Sequence, residues 1–151
     1  MARNDLSLRT RPAAVDLVYG RDVEVADWVA RQLDLGPFTN SRAIGVSHKG
    51  ALIAGVVYSP TTQRDMEMTL ATTNRRWCTR RTIFHLLYYP FVVADMHRCS
   101  VLIRVSNERA IDLVTRLGFN REGLLREWFA PGEDAVICGL LRRDCKWIGR
   151  Q

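Results

Sequence analysis

The stretch Val101–Phe119, VLIRVSNERAIDLVTRLGF, decides the fold. Its first residues form an apolar run of the length expected for a buried strand. Asn107 then offers a side-chain oxygen to the unpaired amides of a helix start. Ile111, Val114 and Leu117 recur at helical spacing, so one helix face turns to a core. Gly118 supplies the left-handed residue that ends such a helix. The reading is strand, cap, helix, stop.

Upstream, Asp65–Thr73 (DMEMTLATT) alternates strictly. Met66, Met68 and Leu70 fall on one face, and Glu67, Thr69 and Ala71 on the other, which is a strand of period two. Asn74–Arg81 (NRRWCTRR) is a dense basic connection. Ile83, Leu86, Leu87 and Phe91 then mark a helix, and Pro90 is expected to kink or end it. Nearer the start, Ala13–Tyr19 reads as a short strand. A helix capped by Asp22 follows, with Val25, Trp28, Val29 and Leu33 on one face and Gly36-Pro37 as its stop. Arg42–Ser47 and Ala51–Ser59 read as a hairpin around His48-Lys49-Gly50. A final hairpin joins Phe119–Ala130 to Ala135–Leu141. Met1–Pro12, with Arg3, Arg9 and Arg11, reads as a mobile basic arm or an early edge segment.

The order is strand, helix, hairpin, strand, helix, strand, helix, hairpin. Strand–helix–strand units predict parallel pairs in the middle of a sheet, and hairpins predict antiparallel edges. The expected architecture is a mixed, twisted α/β sheet with helices on both faces. At 151 residues, 47% hydrophobic and 25% charged, the chain suits a single domain spanning 1–151.

Lys and Arg outnumber Asp and Glu by 22 to 16, giving a formal charge of +6. That excess suits an anionic ligand. No helix-turn-helix or RNA-binding signature accompanies it, so nucleic acid is not the expected partner. None of the four cysteines forms a C-x-x-C pair, and no zinc or other metal site is expected. Cys99 and Cys138 read as small core residues. Cys78 is expected to be an activated thiol, because it precedes a helix among arginines. His48, His85 and His97 have no Cys or Asp partner at short spacing and read as surface or packing residues. Met1–Thr10 lacks the apolar stretch of a secretory signal, and no run approaches a membrane span. The expected setting is reducing and cytoplasmic.

Two pieces now stand in order: strand–basic turn–helix from Glu67 to Phe91, and strand–Asn–helix–Leu-Gly-Phe from Val101 to Phe119. The second continues through Glu122, Gly123 and Arg126. Together they resemble the GNAT superfamily of acyl-CoA-dependent N-acetyltransferases. The matched pattern is N-x-x-A-x-x-x-x-x-x-L-G-F-x-x-E-G-x-x-R, carried here by Asn107, Ala110, Leu117, Gly118, Phe119, Glu122, Gly123 and Arg126. The branch most similar includes ribosomal-protein and other protein N-terminal acetyltransferases. Similar small proteins occur in phages and prophages. The resemblance spans about Ile44 to Leu141.

That resemblance implies a splayed central parallel strand pair and acetyl-CoA as co-substrate. It also implies, as acceptor, a primary amine of a protein N-terminus or small molecule. Pantetheine would lie along Leu70, Ala71, Thr72 and Thr73, with an amide near Leu70 or Ala71 polarising the thioester. The phosphates would meet Arg76, Thr79, Arg80, Arg81 and Thr82, and Asn107 would complete the cofactor site. Thr79 and Arg81 stand where the family usually has glycines. Glu67 is the candidate general base. The helix tyrosine that often serves as general acid is replaced by Val114, with Tyr58, Tyr88 and Tyr89 as substitutes. The altered turn and missing tyrosine also fit a non-catalytic member, such as a structural or interaction protein of a phage particle. In that case the setting would be the host cytoplasm or the virion. Trp128 and Phe129 are candidates to line an acceptor pocket or a subunit contact, and exposed strand edges could support a homodimer or assembly with other proteins.

Overall fold

The computed structural model describes residues 14–149, so the expected arm at 1–12 lies outside the described residues. The chain forms β1 (Asp16–Val18), α1 (Asp22–Leu33), β2 (Arg42–His48), β3 (Ala51–Pro60) and β4 (Asp65–Thr72). It continues through α2 (Arg80–Tyr88), β5 (Arg98–Arg104), α3 (Glu108–Leu117), β6 (Asn120–Ala130) and β7 (Glu133–Leu141). The strands make one sheet in the order β1-β2-β3-β4-β5-β7-β6.

Only β4 and β5 run parallel, in the middle of the sheet. The first strand–helix–strand unit departs from expectation, since β1 pairs antiparallel with β2. The irregular connection at 34–41 lets the chain turn before it enters β2, so α1 is not a parallel crossover. β6 returns beyond β7 to form the far edge. The β2–β3 turn places Lys49 (φ 51°) and Gly50 (φ 81°) in left-handed conformations, the geometry that a two-residue hairpin needs.

Helix ends follow local chemistry, with two corrections. Asp22 does not cap α1. It is the first helical residue, and its carboxylate accepts the Ala43 amide of β2 at 2.8 Å. α1 also stops before Gly36-Pro37, because Asp34 takes a left-handed conformation (φ 52°) and the Leu35 amide returns to the Ala30 carbonyl. Asn107 caps α3 as expected, accepting the Ala110 amide at 3.2 Å, and Gly118 (φ 110°) ends it. Pro90 ends the regular part of α2. It has no amide to donate, and Tyr89–Val93 widens into a π-turn closed by the Ala94 amide on the Tyr89 carbonyl.

Helices cover both faces. On one, Val25 and Val29 of α1 pack over Ala43, Val57 and Ala71. Gly45 and Gly55 let α1 approach, since a Cβ at Gly55 would lie 2.8 Å from Val29. On the other, α2 and α3 bury Ile83, Leu86, Leu87 and Val114 against Val56, Met66, Met68 and Val101. The alternation read in β4 thus divides its side chains between two separate cores.

Candidate functional site

The β4–β5 ladder holds three rungs only: Asp65 with Arg98, Met66 with Cys99, and Glu67 with Ser100. Beyond Glu67 the strands diverge, and a cavity of about 450 Å³ opens between them. Strand parity decides which backbone groups face this gap. The Thr73 amide donates to the Ile53 carbonyl of β3 at 2.8 Å. The β3–β4 register is unbroken, so Glu67, Thr69 and Ala71 also turn their amides to β3. Met68, Leu70 and Thr72 therefore turn theirs toward the gap.

The cavity joins the two faces of the sheet. On the helical α3 side it is walled by Met68, Leu70, Ala110, Leu113 and Val114. On the α1 side it is walled by Leu33, Leu35, Phe38, Leu102, Trp128 and Phe129. Among the described residues Glu67 and Arg104 are the two charged residues of the lining.

A polar clamp closes the narrow end. Asp65 Oδ1 accepts from Arg98 Nε at 3.0 Å and from Ser100 Oγ at 2.7 Å. Arg98 Nη2 reaches Glu122 Oε1 of β6 at 2.7 Å. This pair crosses over Gly139 of β7. A Cβ there would overlap the Glu122 carboxylate and come within 2.8 Å of Arg98 Nη2. Partial burial, and then the charge of Asp65, raise the pKa of Glu67.

The basic turn leads to the open end of β4. Asn74 Oδ1 accepts the Arg76 amide at 3.0 Å and starts a single 3₁₀ turn, which buried Trp77 anchors. Thr79 caps α2, accepting the Thr82 amide at 3.2 Å. Its carbonyl takes the Ile83 amide. The first-turn amides of Arg80 and Arg81 have no acceptor within the helix and lie at its positive end. The Arg81 guanidinium donates to the Val15 carbonyl at 3.2 Å.

The fold is similar to that of solved acetyltransferases. The spermidine N-acetyltransferase SpeG from Vibrio cholerae, in complex with CoA and spermine, matches with TM-score 0.69 at 16% identity, covering 90% of this chain and 99% of that one. The chain has the GNAT fold. The same enzyme with manganese ions matches with TM-score 0.69 at 17% identity, over 87% of this chain and 95% of that one. Its dodecameric structure in an intermediate state gives 0.68 at 17% identity, over 85% and 94%. No protein-family model and no curated protein sequence matches this chain.

Within the GNAT fold the residues expected at the site divide. Glu67, Leu70 and Asn107 line the cavity together. Ala71 does not face it. Its amide points to β3 and its side chain is buried under α1. Thr82 is wholly buried, with its hydroxyl 2.9 Å from the Thr79 hydroxyl and its amide capped, so neither group remains to meet a ligand. Thr72, Thr73, Arg76, Thr79, Arg80 and Arg81 are exposed along the strand end and turn.

The substitute tyrosines do not reach the cleft. Tyr58 is fully buried and donates to the Leu86 carbonyl at 2.6 Å, and burial pushes its pKa well up. Tyr89 packs edge-on against it, with ring centroids 4.8 Å apart. Val114 lies buried in the cavity wall. None of the three histidines lines the cavity. Cys78 corrects its expectation, because desolvation raises its thiol pKa instead of lowering it. Among the described residues no group of three or more His, Cys, Asp and Glu is placed to hold a metal ion. No helix among them is long and apolar enough to cross a membrane.

Phe38, Leu102, Arg104 and the Asp65–Arg98–Glu122 clamp were not legible as site residues. They come from distant segments, and of them only Glu122 belongs to the matched sequence pattern, where it carried no assigned role. Trp128 and Phe129 were visible as aromatic residues of the penultimate strand, without an assigned partner.

Proposed function

We propose that this chain is an acyl-CoA-dependent N-acetyltransferase that moves acetyl from acetyl-CoA to a primary amine. The observation carrying this reading is the parting of β4 and β5 at Glu67. It joins gap-facing amides, a carboxylate and a two-sided cavity in one cleft. The residues present suit the co-substrate. The Leu70 and Thr72 amides are turned to where an extended pantetheine amide chain would need partners. The Arg80 and Arg81 amides, with exposed Arg76 and Arg80, supply an anion site for the phosphates. Arg81, committed to Val15, is turned to a protein carbonyl and contributes mainly through its backbone amide.

Glu67 is the base. An N-terminal amine has a pKa of about 8 and a lysine of about 10.4, so either needs to lose a proton before attack near neutral pH. The raised pKa of Glu67 brings it closer to that task. Acetyl-CoA supplies the thioester: Glu67 takes one ammonium proton, the freed amine nitrogen bonds to the acetyl carbon, the C–S bond breaks, and the second proton lost by that nitrogen passes through solvent to the leaving thiolate. The Leu70 amide, the one of the two expected amides that is turned to the gap, stabilises the charge that develops on the carbonyl oxygen. No tyrosine stands at the cleft to protonate the thiolate, so solvent takes that role. Within this reading the branch resembled most, protein N-terminal acetyltransferases, makes a protein N-terminus one acceptor to test. The neighbours named for spermidine make a polyamine another.

The test is calorimetric titration with acetyl-CoA, followed by acetyl-CoA consumption with a panel of amines. Saturable binding and amine-dependent thiol release are expected. Neither heat nor a thermal shift at saturating acetyl-CoA overturns the reading. The buried Val114 favours a second reading, a non-catalytic GNAT-fold interaction protein such as a phage particle component. Turnover that Glu67→Gln abolishes while acetyl-CoA still binds excludes it.

A further inference from the structure

We infer that the acceptor is a monoamine carrying an apolar, preferably aromatic, group, and not a polyamine; this rests on the N-acetyltransferase reading above. The α1 side of the cleft holds the argument. Leu33, Leu35 and Phe38 reach it from the end of α1 and its connection, Leu102 from β5, and Trp128 and Phe129 from β6. These six apolar side chains line the same cavity as Glu67.

The charges are as telling. Among the described residues Glu67 is the single carboxylate of the lining, and it is the group that must receive the proton of the reacting amine. A polyamine carries further ammonium groups along its chain, and each needs a carboxylate or water when it enters a cleft. The other charged residue here is Arg104, which repels a second ammonium. Its guanidinium also occupies the face of Phe129, 4.4 Å from the ring centroid, and pairs with Glu133. The Phe129 face is thus already taken by a cation and is closed to a distal ammonium. The surplus of positive charge over the whole chain adds a long-range penalty for a polycation.

An apolar group meets none of these costs. A phenyl or large aliphatic group beside the amine fills the space between Phe38, Leu102 and Trp128 and removes apolar surface from water. Each methylene buried there is worth about fourfold in binding. The proton and acetyl balance is that already given, with nitrogen acylated, one proton on Glu67 and the second on the released thiol. Both a small arylalkylamine and a peptide whose first residue is aromatic present this chemistry.

The experiment measures kcat/KM with acetyl-CoA for 2-phenylethylamine, a phenylalanine-initiated tetrapeptide and spermidine, on the full chain and on Trp128→Glu. Trp128 is 55% exposed, so this variant retains its fold, which its thermal melt checks. At least one phenyl-bearing amine is expected to exceed spermidine by about tenfold or more. Trp128→Glu is expected to remove most of that advantage through KM, with acetyl-CoA affinity unchanged. The arm that prevails tells a small amine from a peptide terminus. Equal or better use of spermidine overturns the inference and leaves the acetyltransferase reading standing. Binding of acetyl-CoA without turnover of either phenyl-bearing amine overturns it as well. Failure to bind acetyl-CoA overturns both.

Discussion

Glu67 lies opposite Ser100 in the last rung of the parallel β4–β5 ladder, so the strands part at the carboxylate itself. Below that rung Asp65 and Arg98 hold the strands together. Above it the gap-facing amides of β4 are released from pairing. The same boundary sets the width of the cleft and the environment of the Glu67 carboxylate.

In the proposed mechanism Glu67 acts in its ionised form, and its pKa is raised by desolvation first and by Asp65 second. Acetyl transfer is therefore expected to rise with pH through a midpoint above the usual carboxylate value of about 4.3. Glu67→Gln is expected to lower kcat by about 10²–10⁴-fold and remove this limb, with acetyl-CoA binding retained. The stability sign follows from linkage. A carboxyl with a higher pKa folded than unfolded holds its proton longer in the folded state, so stability falls as pH rises from the unfolded value through the folded one. Above that window Glu67→Gln should melt higher than the unaltered chain. Melting curves across pH check this, and an unchanged rate profile in the variant removes Glu67 from the mechanism.

The α2 entrance predicts unequal arginines. Arg80 is exposed with its first-turn amide open, while Arg81 is tied to the Val15 carbonyl. Arg80→Ala is expected to weaken acetyl-CoA binding by about three- to tenfold at low ionic strength, with the effect shrinking as salt screens it. Arg81→Ala is expected to cost less affinity and to loosen β1. Calorimetry at two salt concentrations separates the two, and equal losses contradict the assignment.

Gly139 is required by the clamp above it. Gly139→Ala places a methyl where Glu122 and Arg98 meet, so their bond must break or β6 must shift. A loss of about 1–3 kcal/mol is expected, roughly 3–10 °C in Tm for a chain of this size. Adding Glu122→Ala should recover part of it, because the overlapping group is then gone. Strict additivity of the two substitutions is the contrary result.

Asn107 separates capping from cofactor binding. Asn107→Ala should cost about 1 kcal/mol through the lost bond to the Ala110 amide. Asn107→Asp keeps a capping oxygen and should keep the melting temperature. It also adds a negative charge at the cavity wall, so weaker acetyl-CoA binding is expected from it. Unchanged affinity in that variant reduces Asn107 to a cap.

The sequence by itself determined those parts whose signals lie within a few residues of one another. The Asn107 cap, the Gly118 stop, the Lys49-Gly50 turn and the two-faced alternation of β4 are of this kind. Each depends on local backbone geometry, and each stands in the structure. From their order alone the mixed sheet with helices on both faces was readable. Asp22 was misjudged because its carboxylate finds the Ala43 amide of a neighbouring strand, a partner 21 residues away that no local pattern displays. Cys78 was misjudged because desolvation raises its thiol pKa.

Only the tertiary structure decided where β4 and β5 separate, and hence that Glu67 shares a cavity with Phe38, Leu102 and Trp128. That boundary is set by Asp65 meeting Arg98 and Ser100, 33 and 35 residues on, and by Arg98 meeting Glu122. Such contacts join side chains of ordinary type at separations where sequence carries no periodic trace. The Val101–Phe119 stretch could fix a strand and a helix because their pairing is local. The width and lining of the cleft depend on which distant surfaces the packed sheet brings together.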